Sequence, residues 1–127
     1  MIRYVVTDRM ALVAGACACG ATSRRVDHVH GRSDDVFTYP GDVRVHPLTI
    51  RAPLGRHRHV VEYQVLQTER GVCVRLCANG PIDHAELAAS IAGGLRGCGI
   101  SDPDVVVEEV PSLSRQVSGK LKRFVPL

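Results

Sequence analysis

Long apolar runs are missing from this chain of 127 residues. Nothing in it approaches the roughly 20 consecutive apolar residues of a membrane-spanning helix. The N-terminal Met1-Ile2-Arg3-Tyr4 has no apolar stretch of the kind that opens a signal peptide. A cytoplasmic location with no membrane partner is therefore expected. Lysine is scarce: of 16 basic residues only Lys120 and Lys122 are lysines, and the rest are arginines. A lysine in the C-terminal tail thus stands out. Dense basic runs with interleaved aromatics are absent. The nearest, Arg56-His57-Arg58-His59, is too short to argue for a nucleic-acid partner. Internal repeats and low-complexity segments are absent too.

What is present suits one core. Hydrophobic residues make up 45% of the chain and the net charge is +3, which is not a disordered composition. A chain of this length buries roughly two-thirds of its unfolded surface. The five cysteines are Cys17, Cys19, Cys73, Cys77 and Cys98. Their number is odd and the compartment is read as reducing, so free thiols are expected. Cys73 and Cys77 have the even spacing of one strand face.

The first part of the chain is short-stranded and turn-rich, with little apolar material of its own. Arg3 to Val6 and Ala11 to Ala14 read as strands, and Arg25 to His30 alternates before Gly31. This stretch looks like the edge of something larger.

From Ser33 the chain is more self-sufficient. Val36 to Tyr39 reads as a strand before the turn Pro40-Gly41-Asp42. His46 to Leu54 reads as a helix that Pro47 and Pro53 limit to about two turns. Val60 to Gln67 and Val72 to Ala78 alternate around the turn Glu69-Arg70-Gly71, a hairpin pattern. Val61, Tyr63 and Val65 are expected on one face of the first strand, and Val72, Val74, Leu76 and Ala78 inside on the second. Asp83 with Glu86 three residues on makes a capping-box-like start. The stripe Leu87, Ala88, Ile91, Ala92 and Leu95 then predicts a helix that Gly97 and Gly99 end. Asp104 to Val110 is a third strand. The order β-β-α-β predicts an α+β fold, a small mixed or antiparallel sheet with one or two packed helices. After Pro111 the tail is small and polar, with no evident core to join.

Three segments stand out in order: Arg3-Tyr4-Val5-Val6-Thr7-Asp8, Gly31-Arg32-Ser33-Asp34-Asp35 and Ser118-Gly119-Lys120-Leu121-Lys122-Arg123. Singly each is weak, since a polar turn or a solvated tail lysine would look the same. Together, with Cys17-Ala18-Cys19-Gly20 and Val43-Arg44-Val45-His46-Pro47, they resemble the C-terminal region of phenylacetate–CoA ligase-like members of the adenylate-forming superfamily. The resemblance covers essentially the whole chain. It implies a remnant of the large ATP-binding domain over residues 1–32 and a C-terminal lid over 33–127. What that family carries upstream, the phosphate-gripping loop and the acyl pocket, has no counterpart here.

The resemblance also implies roles. Asp8 matches the acid that holds the ribose hydroxyls of ATP, and Arg32 a second nucleotide contact. Asp34 matches the hinge on which the lid rotates between two half-reactions. Gly41 lies in the turn that faces the pantetheine arm of CoA. Lys120 matches the catalytic lysine, flanked by Arg115 and Gly119, that bridges the attacking carboxylate and the α-phosphate. ATP or AMP with Mg, and CoA, are the implied cofactors. The implied partners are a large ATP-binding domain, in cis or in trans, and a carboxylic acid reached through it. A homo-oligomer is compatible with the sequence. The isolated chain is expected to be inactive. The alternative is a stand-alone, non-catalytic partner module derived from such a lid. Cys17 and Cys19, with His28 and His30 nearby, are weak zinc candidates, because the spacing is not the usual Cys-x₂-Cys knuckle. Zinc is not expected.

Overall fold

The computed structural model describes residues 8–32 and 35–127. The chain divides into two compact units, Met1–Asp34 and Asp35–Leu127. The expected strand from Arg3 to Val6, and Asp34, lie outside the described residues.

The first unit is a hairpin. Strand β1 (Asp8–Val13) pairs antiparallel with β2 (Arg25–Arg32). The register shifts twice, skipping His30 and Asp27 on β2. These bulges decide which side chains share a face. Val26 and Val29 are three residues apart and would face opposite ways on a regular strand. The shift at Asp27 instead sets Leu12 opposite Val26 and Met10 opposite Val29. All four are exposed. A two-stranded hairpin is marginal in water, and this one carries an uncovered apolar face.

The second unit is the α+β body that the patterning predicts. Strands β3 (Phe37–Tyr39) and β4 (Val43–Val45) form a small hairpin. Helix α1 (Pro47–Arg56) follows, then β5 (Val60–Gln67), β6 (Gly71–Ala78), helix α2 (His84–Gly97), β7 (Asp104–Glu109) and β8 (Phe124–Val125). The main sheet has the order β7-β6-β5-β8. The central pair is antiparallel, and both outer strands run parallel to their neighbours.

Helix α2 forms where its sequence asks for it. The Asp83 carboxylate accepts the Glu86 N–H at 2.9 Å, which satisfies one of the donors a helix start leaves open. Leu87, Ile91, Ala92 and Leu95 are buried. Leu87, Ile91 and Leu95 meet Ile50 and Leu54 of α1 and Val65, Val72, Val74 and Leu76 of the sheet in one core. Each large aliphatic there contributes about 1.5–3 kcal/mol. The close approach of the helices needs Gly94, since a Cβ there would lie 2.9 Å from Thr49 Cγ2.

Three expectations are corrected. Helix α1 runs past Pro53 to Arg56. An interior proline costs a helix about 3 kcal/mol, but Ile50, Pro53 and Leu54 are all buried, and that burial offsets the loss. Val61 is 60% exposed and does not share the face of Val65, because a register shift between Val60 and Glu62 turns the strand. The tail does join the core: Phe124 is buried, edge-on to Phe37 and Tyr63 with ring centroids 6.1 and 6.3 Å away. Among the described residues no helix is long and apolar enough to cross a membrane.

Candidate functional site

Lys120 sits on a loop tied down at both ends. On the near side the Val110 N–H donates to the Leu76 carbonyl at 2.8 Å. Arg115 then pairs with Glu62, which projects from the bulged end of β5. On the far side the Gln64 side-chain amide donates to the Lys122 carbonyl at 2.9 Å. The Val65 N–H donates to the Arg123 carbonyl at 2.7 Å. The Arg123 guanidinium lies 5.8 Å from the Tyr63 ring centroid, a cation–π distance.

Between these anchors the backbone folds on itself. The Gly119 N–H donates to the Gln116 carbonyl at 2.8 Å, and the Gln116 N–H to the Lys120 carbonyl at 3.0 Å. Gly119 takes φ +77, a left-handed backbone that side chains disfavour. Lys120 follows it, exposed. Its ammonium makes no ion pair among the described residues. The result is a mobile-stemmed cation on a fixed backbone turn.

Gly41 occupies the β3–β4 turn with φ +84, followed by Asp42 at φ 57. Two open hollows flank this hairpin. One, of about 590 Å³, is lined by Val36, Thr38, Gln67 and Leu127 among others. The other, of about 400 Å³, runs along Tyr39, Val43, Ile100 and Asp102. Arg70 borders both, and Lys120 borders neither. A buried polar seam supports the first hollow. The Gln67 amide donates to the Thr38 carbonyl at 2.7 Å and accepts the Leu127 N–H at 3.3 Å. The Tyr39 hydroxyl donates to the Gly71 carbonyl at 2.7 Å. Burial pushes the Tyr39 phenol up to about 12.

In the first unit, Asp8 and Arg32 are direct cross-strand partners at the open end of the hairpin. The two residues matched to nucleotide contact thus issue from one rung. Asp34 is outside the described residues. Cys17 and Cys19 stand in the β1–β2 loop with their sulfurs 2.9 Å apart. Among the described residues no group of three or more His, Cys, Asp or Glu could hold a metal ion.

Sequence reasoning missed the anchors of the Lys120 loop. Glu62 and Gln64 are polar residues alternating along a strand, which gave some signal. Phe124, one of only two phenylalanines, was the stronger clue.

Among known proteins, the chain is 30% identical over 92 residues to phenylacetate–coenzyme A ligase of Thermus thermophilus, a span of 72% of this chain and 19% of that one. The chain is phenylacetate–CoA ligase-like. Its fold is that of AMP-forming acyl-CoA ligases. A 2-hydroxyisobutyryl-CoA ligase solved in the postadenylation state aligns with a TM-score of 0.56 at 21% identity, over 99% of this chain and 29% of that one. O-succinylbenzoate coenzyme A synthetase of Bacillus subtilis, solved with AMP, gives 0.53 at 22% identity, over 76% and 20%. No protein-family model matches. The ligase-like chain spans less than a third of the length of each of these relatives, a size consistent with a C-terminal region.

Proposed function

We propose that this chain is the C-terminal lid of an AMP-forming acid–CoA ligase, joined at its first residues to the end of a large ATP-binding domain. The observation that carries the reading is the Lys120 loop: a lone exposed ammonium on a turn closed by two backbone hydrogen bonds. In adenylation a substrate carboxylate attacks the α-phosphate of Mg-bound ATP and pyrophosphate leaves. Negative charge then crowds between the attacking oxygen and the phosphoryl oxygens. A compact ammonium held at that point stabilises the transition state more than the ground state. The rest of the lysine stem supplies reach, while the fixed turn limits the entropy lost on docking.

The other roles follow the same plan. Asp8 accepts the ribose hydroxyls and Arg32, opposite it on the hairpin, meets ribose or phosphate oxygens. Asp34 absorbs the rotation that exchanges the Lys120 face for the β3–β4 turn. Gly41 then leaves room for the CoA thiol arm to reach the acyl-adenylate. Thioester formation releases AMP. The exposed face of Met10, Val29, Leu12 and Val26 is the surface by which the first unit joins the large domain. The setting is cytoplasmic, where ATP and CoA are available.

The test is reconstitution. The purified chain is mixed with the large domain of a phenylacetate–CoA ligase lacking its own lid, and ATP–pyrophosphate exchange is measured with an aryl acid. The chain alone should give no exchange and the mixture should. Lys120→Ala should lower the restored rate by about 10²–10³-fold. Complex formation with a rate indifferent to Lys120→Ala would replace the catalytic reading by that of a non-catalytic partner module.

A further inference from the structure

The β1–β2 loop holds two thiols that the ligase reading does not use. The Cys17 and Cys19 sulfurs are 2.9 Å apart. A tight turn fixes them on one side: the Gly20 N–H donates to the Cys17 carbonyl at 2.9 Å. Gly15 and Gly20 bracket the loop with φ +103 and +81, conformations that few other residues would adopt. Closing the sulfurs to a bond of about 2.05 Å needs a movement of roughly 0.9 Å. Cys19 is exposed and Cys17 half-buried. One sulfur is thus open to attack a reagent, and the second stands directly behind it.

We propose that Cys17 and Cys19 form a redox-active dithiol that is reversibly oxidised to an intramolecular disulfide by small-molecule disulfides such as glutathione disulfide. The step balances. The Cys19 thiolate attacks one sulfur of the oxidant, whose S–S bond breaks and expels one thiolate. This leaves a mixed disulfide on Cys19. Cys17 gives its proton to solvent and attacks the Cys19 sulfur, expelling the second thiolate. The protein loses two electrons and two protons, and one small disulfide becomes two thiols. The hydrogen bond between the two thiols lowers the Cys19 pKa, which favours the attacking thiolate. The other thiols are poorly suited. Cys73 is half-buried, and burial raises its pKa. Cys98 is half-buried, with its sulfur 3.8 Å from the Thr49 hydroxyl. In a reducing compartment such pairs are transient and sensing, not structural.

The experiment uses the purified full chain in glutathione buffers of graded ratio, quenched in acid, alkylated and mapped by mass spectrometry. Oxidation should remove the mass of two hydrogens, protect Cys17 and Cys19 together from alkylation, and reverse with dithiothreitol. In the reduced chain Cys19 should alkylate about 10-fold or more faster than Cys73. Cys17→Ser should halt the reaction at a glutathione adduct on Cys19, which shows that Cys17 resolves it. The proposal is overturned if no Cys17–Cys19 bond forms even in the most oxidising glutathione buffer, glutathione disulfide alone. It is equally overturned if the bond found joins other cysteines, or if the wild-type chain stops at the mixed disulfide.

Discussion

Replacing Gly71 by alanine puts a methyl group where β6 and β7 touch most closely. An ideal Cβ at that position would lie 1.8 Å from the Asp104 carbonyl oxygen and 2.7 Å from its carbon and nitrogen. A tolerable C···O contact is about 3.3 Å, so one backbone must retreat by roughly 1.5 Å. If β7 moves, the rung Gly71↔Asp104 opens, and with it the Asp104 N–H to Arg70 carbonyl bond of 3.2 Å. If β6 moves, the Gly71 carbonyl leaves the buried Tyr39 hydroxyl that donates to it. Overpacking of this kind costs about 1–3 kcal/mol, and an orphaned buried hydroxyl about 1–3 more. Gly71→Ala should therefore lose about 2–6 kcal/mol, a large share of the roughly 5–15 kcal/mol of an ordinary domain. Urea unfolding followed by circular dichroism would show it as a lower midpoint with unchanged slope. Tyr39→Phe in the same background separates the two causes. If the hydroxyl link is broken by the methyl group, the double mutant should lose less than the sum of the singles by about 1 kcal/mol. A loss under about 0.5 kcal/mol in Gly71→Ala would refute the steric argument, and strict additivity would refute the link through Tyr39.

Two further outcomes are expected. Asp83→Ala should cost about 1 kcal/mol in thermal or urea unfolding, and Asp83→Asn much less, because asparagine also caps. Alkaline titration followed by phenolate absorbance should show one tyrosine ionising near pH 12, which Tyr39→Phe removes. Its folded pKa lies above the ordinary value near 10, so the folded state holds the proton longer. The stability it contributes is present below about pH 10 and is lost as pH rises to about 12.

Much of the second unit was legible because its signals are local. The Asp83 cap, the stripe from Leu87 to Leu95 and the alternation of β6 each lie within a few residues of one another. What was not legible depends on partners far along the chain. Val61 reads as an inward residue until the shift against β6 is known. Phe124 lies in a polar tail and finds its place only once β5 offers a parallel edge. On the hairpin, Val26 and Val29 break the period of two, so no pattern marks them as sharing a face with Met10 and Leu12. The placement of the Lys120 loop was likewise beyond spacing arguments. The lysine itself was reached through the resemblance of its motif, while its anchors at Glu62 and Gln64 come from the strand opposite.

The last strand also has a consequence for dosage of the lysine. The sheet order sets β7 at one border and β8 at the other, so the segment between them spans the full width of four strands, about 14 Å at the usual spacing. A chain cut just before Phe124 would keep every residue of the Ser118-Gly119-Lys120 motif, yet would lose the β8 pairing and the buried Phe124 ring behind it, leaving the Lys122 and Arg123 carbonyls as the far-side anchors. The local concentration of the ammonium over any docked nucleotide would fall as the volume it sweeps grows. In the proposed lid, a four-residue deletion behind Lys120 would thus loosen the lysine while leaving its signature intact, and a motif search would still score it as whole.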